Sequence, residues 1–153
     1  TMRGMTDLLT DMALRPEFVE ALLDRIVESN LVQIRRALTF PIDAVYFGDD
    51  YGMQTGLIMG IDRWRHFFKP RLARMFAPVR EAGKFVCLHS WGKIEEILDE
   101  LAEIGLSCFN PFQPEVMDVR ALHARRISGR ARASRGAVHH RRRAAGGFPP
   151  GAG

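Results

Sequence analysis

Polar side chains of the kinds that move protons follow three short apolar runs of the sequence. The runs are residues 44–47, 84–88 and 106–110. The polar residues that end or follow them are Asp49, Asp50, His89, Asn110 and Gln113. Carboxylates and imidazoles serve as general acids and bases, and side-chain amides orient substrates by hydrogen bonding. If the runs are parallel strands, these groups meet at the carboxyl edge of one sheet, where α/β proteins hold their sites.

The segments between the apolar runs have the periodicity of amphipathic helices. Helices are predicted over residues 6–14, from Pro16 to before Pro41, over 62–81, over 92–105 and from Pro114 to Leu122. Pro70 and Pro78 indicate that the helix over 62–81 is kinked or divided, and residues 51–60 are expected to form a loop. Strands that alternate with helices are typical of parallel βαβ units. The sequence predicts an α/β fold with about three strands.

Three strands are too few for a closed barrel, which needs eight strands and typically about 250 residues. The predicted fold class is therefore an incomplete (β/α)8 TIM barrel or a small open α/β domain. The predicted domain covers residues 1–119, and a separate tail covers residues 120–153.

The predicted catalytic residues are Asp49, Asp50 and His89. Adjacent strand residues point to opposite faces, so one of the two aspartates is expected to face the site. The alternatives are helix or loop capping for the aspartates, and a capping or core role for His89. The predicted substrate-binding residues are Gln54, Tyr51, Asn110 and Gln113. A flat ring could stack on Tyr51 or Trp91, although packing explains both aromatic residues as well.

Charge divides the chain sharply at the same boundary. Residues 1–119 hold 13 basic and 18 acidic residues, a net charge of −5, whereas residues 120–153 hold nine arginines and no acidic residue. No apolar run approaches the roughly 20 residues of a membrane span. The two cysteines, Cys87 and Cys108, lie in apolar runs and are expected to be reduced thiols of a cytoplasmic protein.

The tail of residues 120–153 has no apolar periodicity and is expected to be disordered. Its Arg, Ala, Gly and Pro composition favours a shifted reading frame in GC-rich DNA. A basic arm that binds nucleic acid is the less favoured alternative, because the tail lacks the interleaved aromatic residues of stacking platforms.

Four sequence segments resemble the uroporphyrinogen decarboxylase superfamily over about residues 6–119. They are "FGDDYGMQTG", "FFKPRL", "LHSWGKI" and "CFNPFQPEVMD". The resemblance implies a (β/α)8 barrel and cofactor-free decarboxylation of porphyrinogen acetate side chains. The alternative within the superfamily is a zinc-dependent methyltransferase that works with a corrinoid protein. An Arg cluster and a key Asp that relatives carry early in the barrel have no counterpart in this chain.

The chain departs from both branches of this superfamily. Relatives often read His-Ser-Cys-Gly where this chain has His89-Ser90-Trp91-Gly92. In the methyltransferases that His and Cys bind zinc, and because Trp91 cannot, His89 is the only candidate metal ligand. The decarboxylases usually carry a Ser near the position of Asp49 and no second acid.

An incomplete barrel leaves strand edges unpaired and apolar faces uncovered. The 153-residue chain is therefore expected to be inactive alone, poorly soluble, and able to self-associate through its barrel edges. The expected partners are a small-molecule porphyrinogen or a corrinoid protein, with no membrane.

Overall fold

The computed structural model describes residues 3–118 and residue 120. Contacts divide the chain into two compact units, of which the first covers Thr1–Val119. The tail of residues 120–153 lies outside the described residues, apart from Arg120. In chain order the elements of the first unit are α1 (Met5–Leu14), α2 (Pro16–Ala37), β1 (Ala44–Gly48), β2 (Gly52–Met53), β3 (Gly56–Leu57), α3 (Ile61–Arg63), a π-helical turn (Trp64–Phe68), α4 (Lys69–Glu81), β4 (Phe85–His89), a 3-10 turn (Glu95–Ile97), α5 (Leu98–Glu103) and β5 (Cys108–Asn110).

A three-stranded parallel sheet forms the centre of the unit, in the order β1-β4-β5. The short apolar runs with polar ends become these strands, so the predicted α/β fold is confirmed. Gly48, His89 and Asn110 lie side by side in the register. The three strand ends therefore meet at the carboxyl edge of the sheet, and they bring the polar residues His89 and Asn110 together.

The two faces of this sheet differ in what covers them. Residues on the covered face, which packs on the helices, are Val45, Phe47, Val86, Leu88 and Phe109. Val86 and Leu88 are fully buried, and the Phe47 ring packs on Phe76 of α4 at a centroid distance of 5.0 Å. Residues on the opposite, free face are Ala44, Tyr46, Gly48, Phe85, Cys87, His89, Cys108 and Asn110. Helices on one face and a free inner face are the arrangement of a (β/α) barrel segment.

The helical segment between β1 and β4 is divided, as its prolines predict. α3 passes through the π-helical turn into α4, whose second residue is Pro70. Pro78 lies inside α4 without ending it, and the helix stops before Gly83, whose φ is +70°. Trp64 and Phe67 of the π-helical turn are buried in the core.

Three local predictions need correction. The helix predicted over 92–105 is shorter, because Gly92 and Lys93 belong to a loop and only a 3-10 turn and α5 follow. The segment 51–60 is more than a loop, since β2 and β3 form an antiparallel hairpin. Residues 114–117 form turns and a bend, so no helix begins at Pro114: Met117 N–H donates to Gln113 O and closes a single turn. The remainder of that predicted helix, apart from Arg120, lies outside the described residues.

Charged residues on the helical layer pair with each other. Glu100 of α5 accepts from Arg65 at 2.7 Å and from Lys69 at 2.6 Å, which ties α5 to the segment that precedes β4. Arg71 is nearly buried and pairs with Asp24 of α2 at 2.9 Å. Within residues 3–118, the structure has no helix with the length and apolar character that a membrane span requires.

Candidate functional site

The free face presents two rows of residues at its carboxyl edge. The outer row is Gly48, His89 and Asn110, and the row beneath it is Tyr46, Cys87 and Cys108. Each row takes one residue from each of the three strands because the parallel strands run in register. Titratable and amide groups therefore share one open surface.

His89 and Asp50 form the central pair of this site. His89 Nε2 lies 3.7 Å from Asp50 Oδ1, and their side chains are 31% and 56% exposed. Asp50 Oδ1 also accepts a hydrogen bond from the backbone N–H of Trp91 at 2.9 Å, which holds the carboxylate over the end of β4. The pair combines a proton carrier with an anionic group, and both remain accessible to a ligand.

Tyr46 and Asn110 extend the site across the strands. The Tyr46 hydroxyl donates to Asn110 Oδ1 at 2.8 Å, and the Tyr46 and His89 rings lie 6.5 Å apart. Because Asn110 Oδ1 accepts this bond, the Asn110 side-chain NH₂ group keeps its donors for a ligand. The tyrosine, histidine, amide and carboxylate thus form one polar surface.

Buried backbone contacts support the loops that carry these residues. The Ser90 side chain is buried, and its Oγ accepts a hydrogen bond from the Tyr51 N–H at 3.0 Å. Ser90 N–H donates to Asn110 O at 3.1 Å. Gln113 Oε1 accepts from the Gly92 N–H at 2.7 Å, so this predicted substrate-binding side chain holds a loop in place.

Two glycines allow the β2–β3 hairpin to touch the loop after β4. A Cβ placed on Gly92 would lie 2.4 Å from the carbonyl carbon of Gly52, and Gly92 has φ +80°. Lys93 N–H donates to Met53 O at 2.8 Å across the same contact. Only glycine fits at Gly92, because both the space and the backbone conformation exclude a side chain.

Asp49 points away from the His89–Asp50 pair. Asp49 borders a cavity of about 420 Å³ between α2, β1 and α4. Asp49 as a whole residue is exposed, but protein atoms surround its carboxyl group. This burial raises the pKa of Asp49, although the Tyr51 hydroxyl has the opposite effect. Burial also raises the pKa of Tyr51, and the Asp49 charge adds to that shift. The two neighbouring aspartates therefore have different surroundings.

The other predicted site residues lie apart from the central pair. Gln54 is exposed in the turn between β2 and β3, and its side chain makes no hydrogen bond or ion pair with the described residues. Tyr51 is buried, with its ring edge-on to Trp64 and Phe68, so the ring faces the core. Substrate binding by these two residues stays a prediction.

Sequence reasoning missed Tyr46 and the structural role of Ser90. Tyr46 lies inside an apolar run and looked like a core residue. The alternation of side chains along a strand could have revealed it, because it places Tyr46 on the same face as Gly48. In the structure Tyr46 lies beside Cys87 of β4.

The residues present do not make a three-ligand metal site. Among the described residues, no group of three His, Cys, Asp or Glu side chains could hold a metal ion. Catalytic zinc typically has three protein ligands. His89 has Asp50 as its neighbour, and Trp91, which follows Ser90, is half-exposed and has no metal-binding atom. This set of donors does not fit a catalytic zinc ion.

Comparison with known families identifies the chain. The family model for uroporphyrinogen decarboxylase (URO-D) matches residues 1–128. The chain therefore belongs to the URO-D family, in agreement with the barrel segment and its free face. Comparisons with curated proteins and with solved structures give no match.

Proposed function

We propose that this chain forms one wall of a decarboxylase site that takes a porphyrinogen with acetate side chains. The observation that supports the proposal most directly is the accessible His89–Asp50 pair at the carboxyl edge of the free face. Membership of the URO-D family supports the substrate class. An aspartate, a histidine and an amide can supply the anion, the proton and the hydrogen bonds that such a reaction needs.

Loss of carbon dioxide from a pyrrole acetate needs a proton on the ring and an anion beside the resulting cation. In this proposal protonated His89 delivers the proton, and the Asp50 carboxylate stabilises the cationic ring and accepts hydrogen bonds from pyrrole N–H groups. An anion held in advance where positive charge develops lowers the barrier without reorganisation. The Trp91 N–H holds Asp50 in this position.

Tyr46 and Asn110 have positioning roles in the same proposal. The Tyr46 hydroxyl orients the Asn110 amide, whose NH₂ group then faces a substrate carboxylate. Arginines usually bind such carboxylates. Arg71 is not available for this task, because it is nearly buried and paired with Asp24. The wall therefore binds the pyrrole more than the acid side chains, and we expect no turnover by this chain alone.

Anaerobic ultrafiltration with uroporphyrinogen tests the proposal. The free ligand is oxidised to porphyrin and quantified by absorbance. We expect the 153-residue chain to retain the ligand, and Asp50→Asn and His89→Gln each to weaken binding about tenfold, the effect of losing about 1.4 kcal/mol. Asp43→Asn is the matched control: it makes the same charge change at the opposite end of β1, where the residue is exposed.

Equal weakening by Asp43→Asn and Asp50→Asn would contradict the proposal, because general charge would then explain the binding. Stoichiometric zinc in the purified chain that disappears with His89→Gln would instead favour methyl transfer with a corrinoid protein. The nucleic-acid alternative concerns the tail, which lies outside the described residues.

A further inference from the structure

Two cysteine thiols lie side by side on the free face, in the row beneath His89 and Asn110. Cys87 of β4 and Cys108 of β5 are register partners. Both are free thiols, with Cys87 half-buried and Cys108 exposed. Their side chains project from the same face of adjacent, parallel strands. Nothing in the decarboxylase proposal uses either thiol.

The spacing of the two residues suits a disulfide. Neighbouring strands lie about 4.8 Å apart, and the Cα atoms of disulfide-bonded cysteines are usually about 4.4–6.8 Å apart. Because the parallel strands are in register, both side chains project from the same face of the sheet. The backbone therefore already places the two cysteines at a separation that a disulfide can span.

The two thiols differ in accessibility. Cys87 is half-buried, so its thiol is the less accessible attacking group. Cys108 is exposed and is the thiol that an external reagent meets first.

We propose that Cys87 and Cys108 form a reversible thiol modification site that reacts with small-molecule disulfides. The Cys108 thiolate attacks one sulfur of the reagent, forms a mixed disulfide and releases one thiolate. Cys87, after losing its proton, attacks the Cys108 sulfur and displaces the second thiolate. The two protons from the cysteines go to the two leaving thiolates. The cysteine pair loses two electrons and the reagent gains them.

The new bond would join β4 to β5 directly beneath His89 and Asn110. The reagents that fit this site are small disulfides such as oxidised glutathione, and the product is a disulfide across the sheet.

Intact-mass measurement over time with oxidised glutathione tests this inference on the reduced 153-residue chain. The expected product is a chain two hydrogens lighter, whose digest contains a linked peptide with Cys87 and Cys108. Cys87→Ser is expected to stop at a stable glutathione adduct on Cys108. Cys108→Ser is expected to react about tenfold more slowly, because the remaining thiol, Cys87, is half-buried whereas Cys108 is exposed.

The same reactions in denaturant are the control for the fold. The rate difference between Cys87→Ser and Cys108→Ser should disappear there. A difference that persists in denaturant would overturn the proposal, because the sheet would not be its cause. A disulfide-linked dimer as the main product of the unaltered chain, or a stable adduct on both thiols, would also overturn it.

Discussion

The two faces of the three-stranded sheet differ in composition and in burial, although the same strands supply both. The covered face carries only branched aliphatic and aromatic residues, and its central residues Val86 and Leu88 are fully buried. The free face alternates with it along each strand and carries a tyrosine, two thiols, a histidine and an amide. Stability should therefore depend on the first face and chemistry on the second.

The exposed aromatic residues on the free face sharpen this contrast. Tyr46 and Phe85 are 57% and 63% exposed. Helices normally cover both faces of a parallel sheet, or a closed barrel fills its interior with the inner-face side chains. A free face of this composition is what the interior of a barrel contributes to a site.

The largest expected effect separates the faces by stability. Leu88→Ala removes a fully buried side chain from the covered face and should lower the free energy of unfolding by about 3 kcal/mol. Phe85→Ala, on the free face of the same strand, should change it by less than about 1 kcal/mol. Urea unfolding followed by circular dichroism measures both. Equal losses would show that the free face is covered in solution, as self-association would cover it.

A smaller effect is expected where the hairpin meets the loop after β4. Gly92→Ala places a Cβ against the Gly52 backbone in a left-handed conformation, and should cost about 2 kcal/mol. Gly48→Ala is the control, because a Cβ at Gly48 meets no atom within 4 Å. Thermal unfolding of the two variants gives the comparison. Similar melting temperatures would mean that the hairpin does not rest on this loop.

The smallest expected effect concerns the contribution of two carboxyl groups, Glu100 and Asp49, to the free energy of unfolding. The two contributions have opposite signs near neutral pH. Hydrogen bonds from Arg65 and Lys69 lower the pKa of Glu100 in the helical layer, so its contribution to stability is present above the ordinary glutamate pKa and is lost as pH falls through the lowered value. Burial raises the pKa of Asp49. The folded state therefore disfavours ionised Asp49, and this cost disappears as pH falls below the ordinary aspartate pKa.

Denaturant unfolding across acidic and neutral pH checks this difference. Glu100→Gln should destabilise the chain near neutral pH and lose its effect in acid. Asp49→Asn should stabilise the chain near neutral pH, and that gain should vanish in acid. If both substitutions changed the free energy of unfolding in the same direction at neutral pH, the surroundings assigned to one of the two carboxyl groups would be wrong.

The strands and their polar ends were predictable because local signals agree. Each strand is a short apolar run, and the parallel arrangement follows from the helices between the runs. The segment 92–105 was harder, since its apolar stripe is helical in period but Gly92 is held against the hairpin. The turn at Pro114 was missed because it depends on contacts with distant parts of the chain. Gln113 accepts a hydrogen bond from the Gly92 N–H, and Met117 is buried in the core.

The candidate site was partly predictable for a related reason. His89 and Asn110 stand at strand ends, so a parallel register alone brings them together. The pairing of Asp50 with His89 depends on a loop contact with Trp91, 41 positions away, which no local pattern encodes. Tyr46 was missed because a tyrosine in an apolar run has the same local appearance on either face.

The amino-acid order alone was enough to specify the alternation of strands and helices, the polar strand ends and the resemblance to the URO-D family, because periodicity and short motifs are local properties. The assignment of partners needed the folded chain. Hydrogen bonds and ion pairs act over a few ångströms, so the bond between Tyr46 and Asn110 and the approach of Asp50 to His89 exist only once the strands lie in register. The same register places Cys87 beside Cys108.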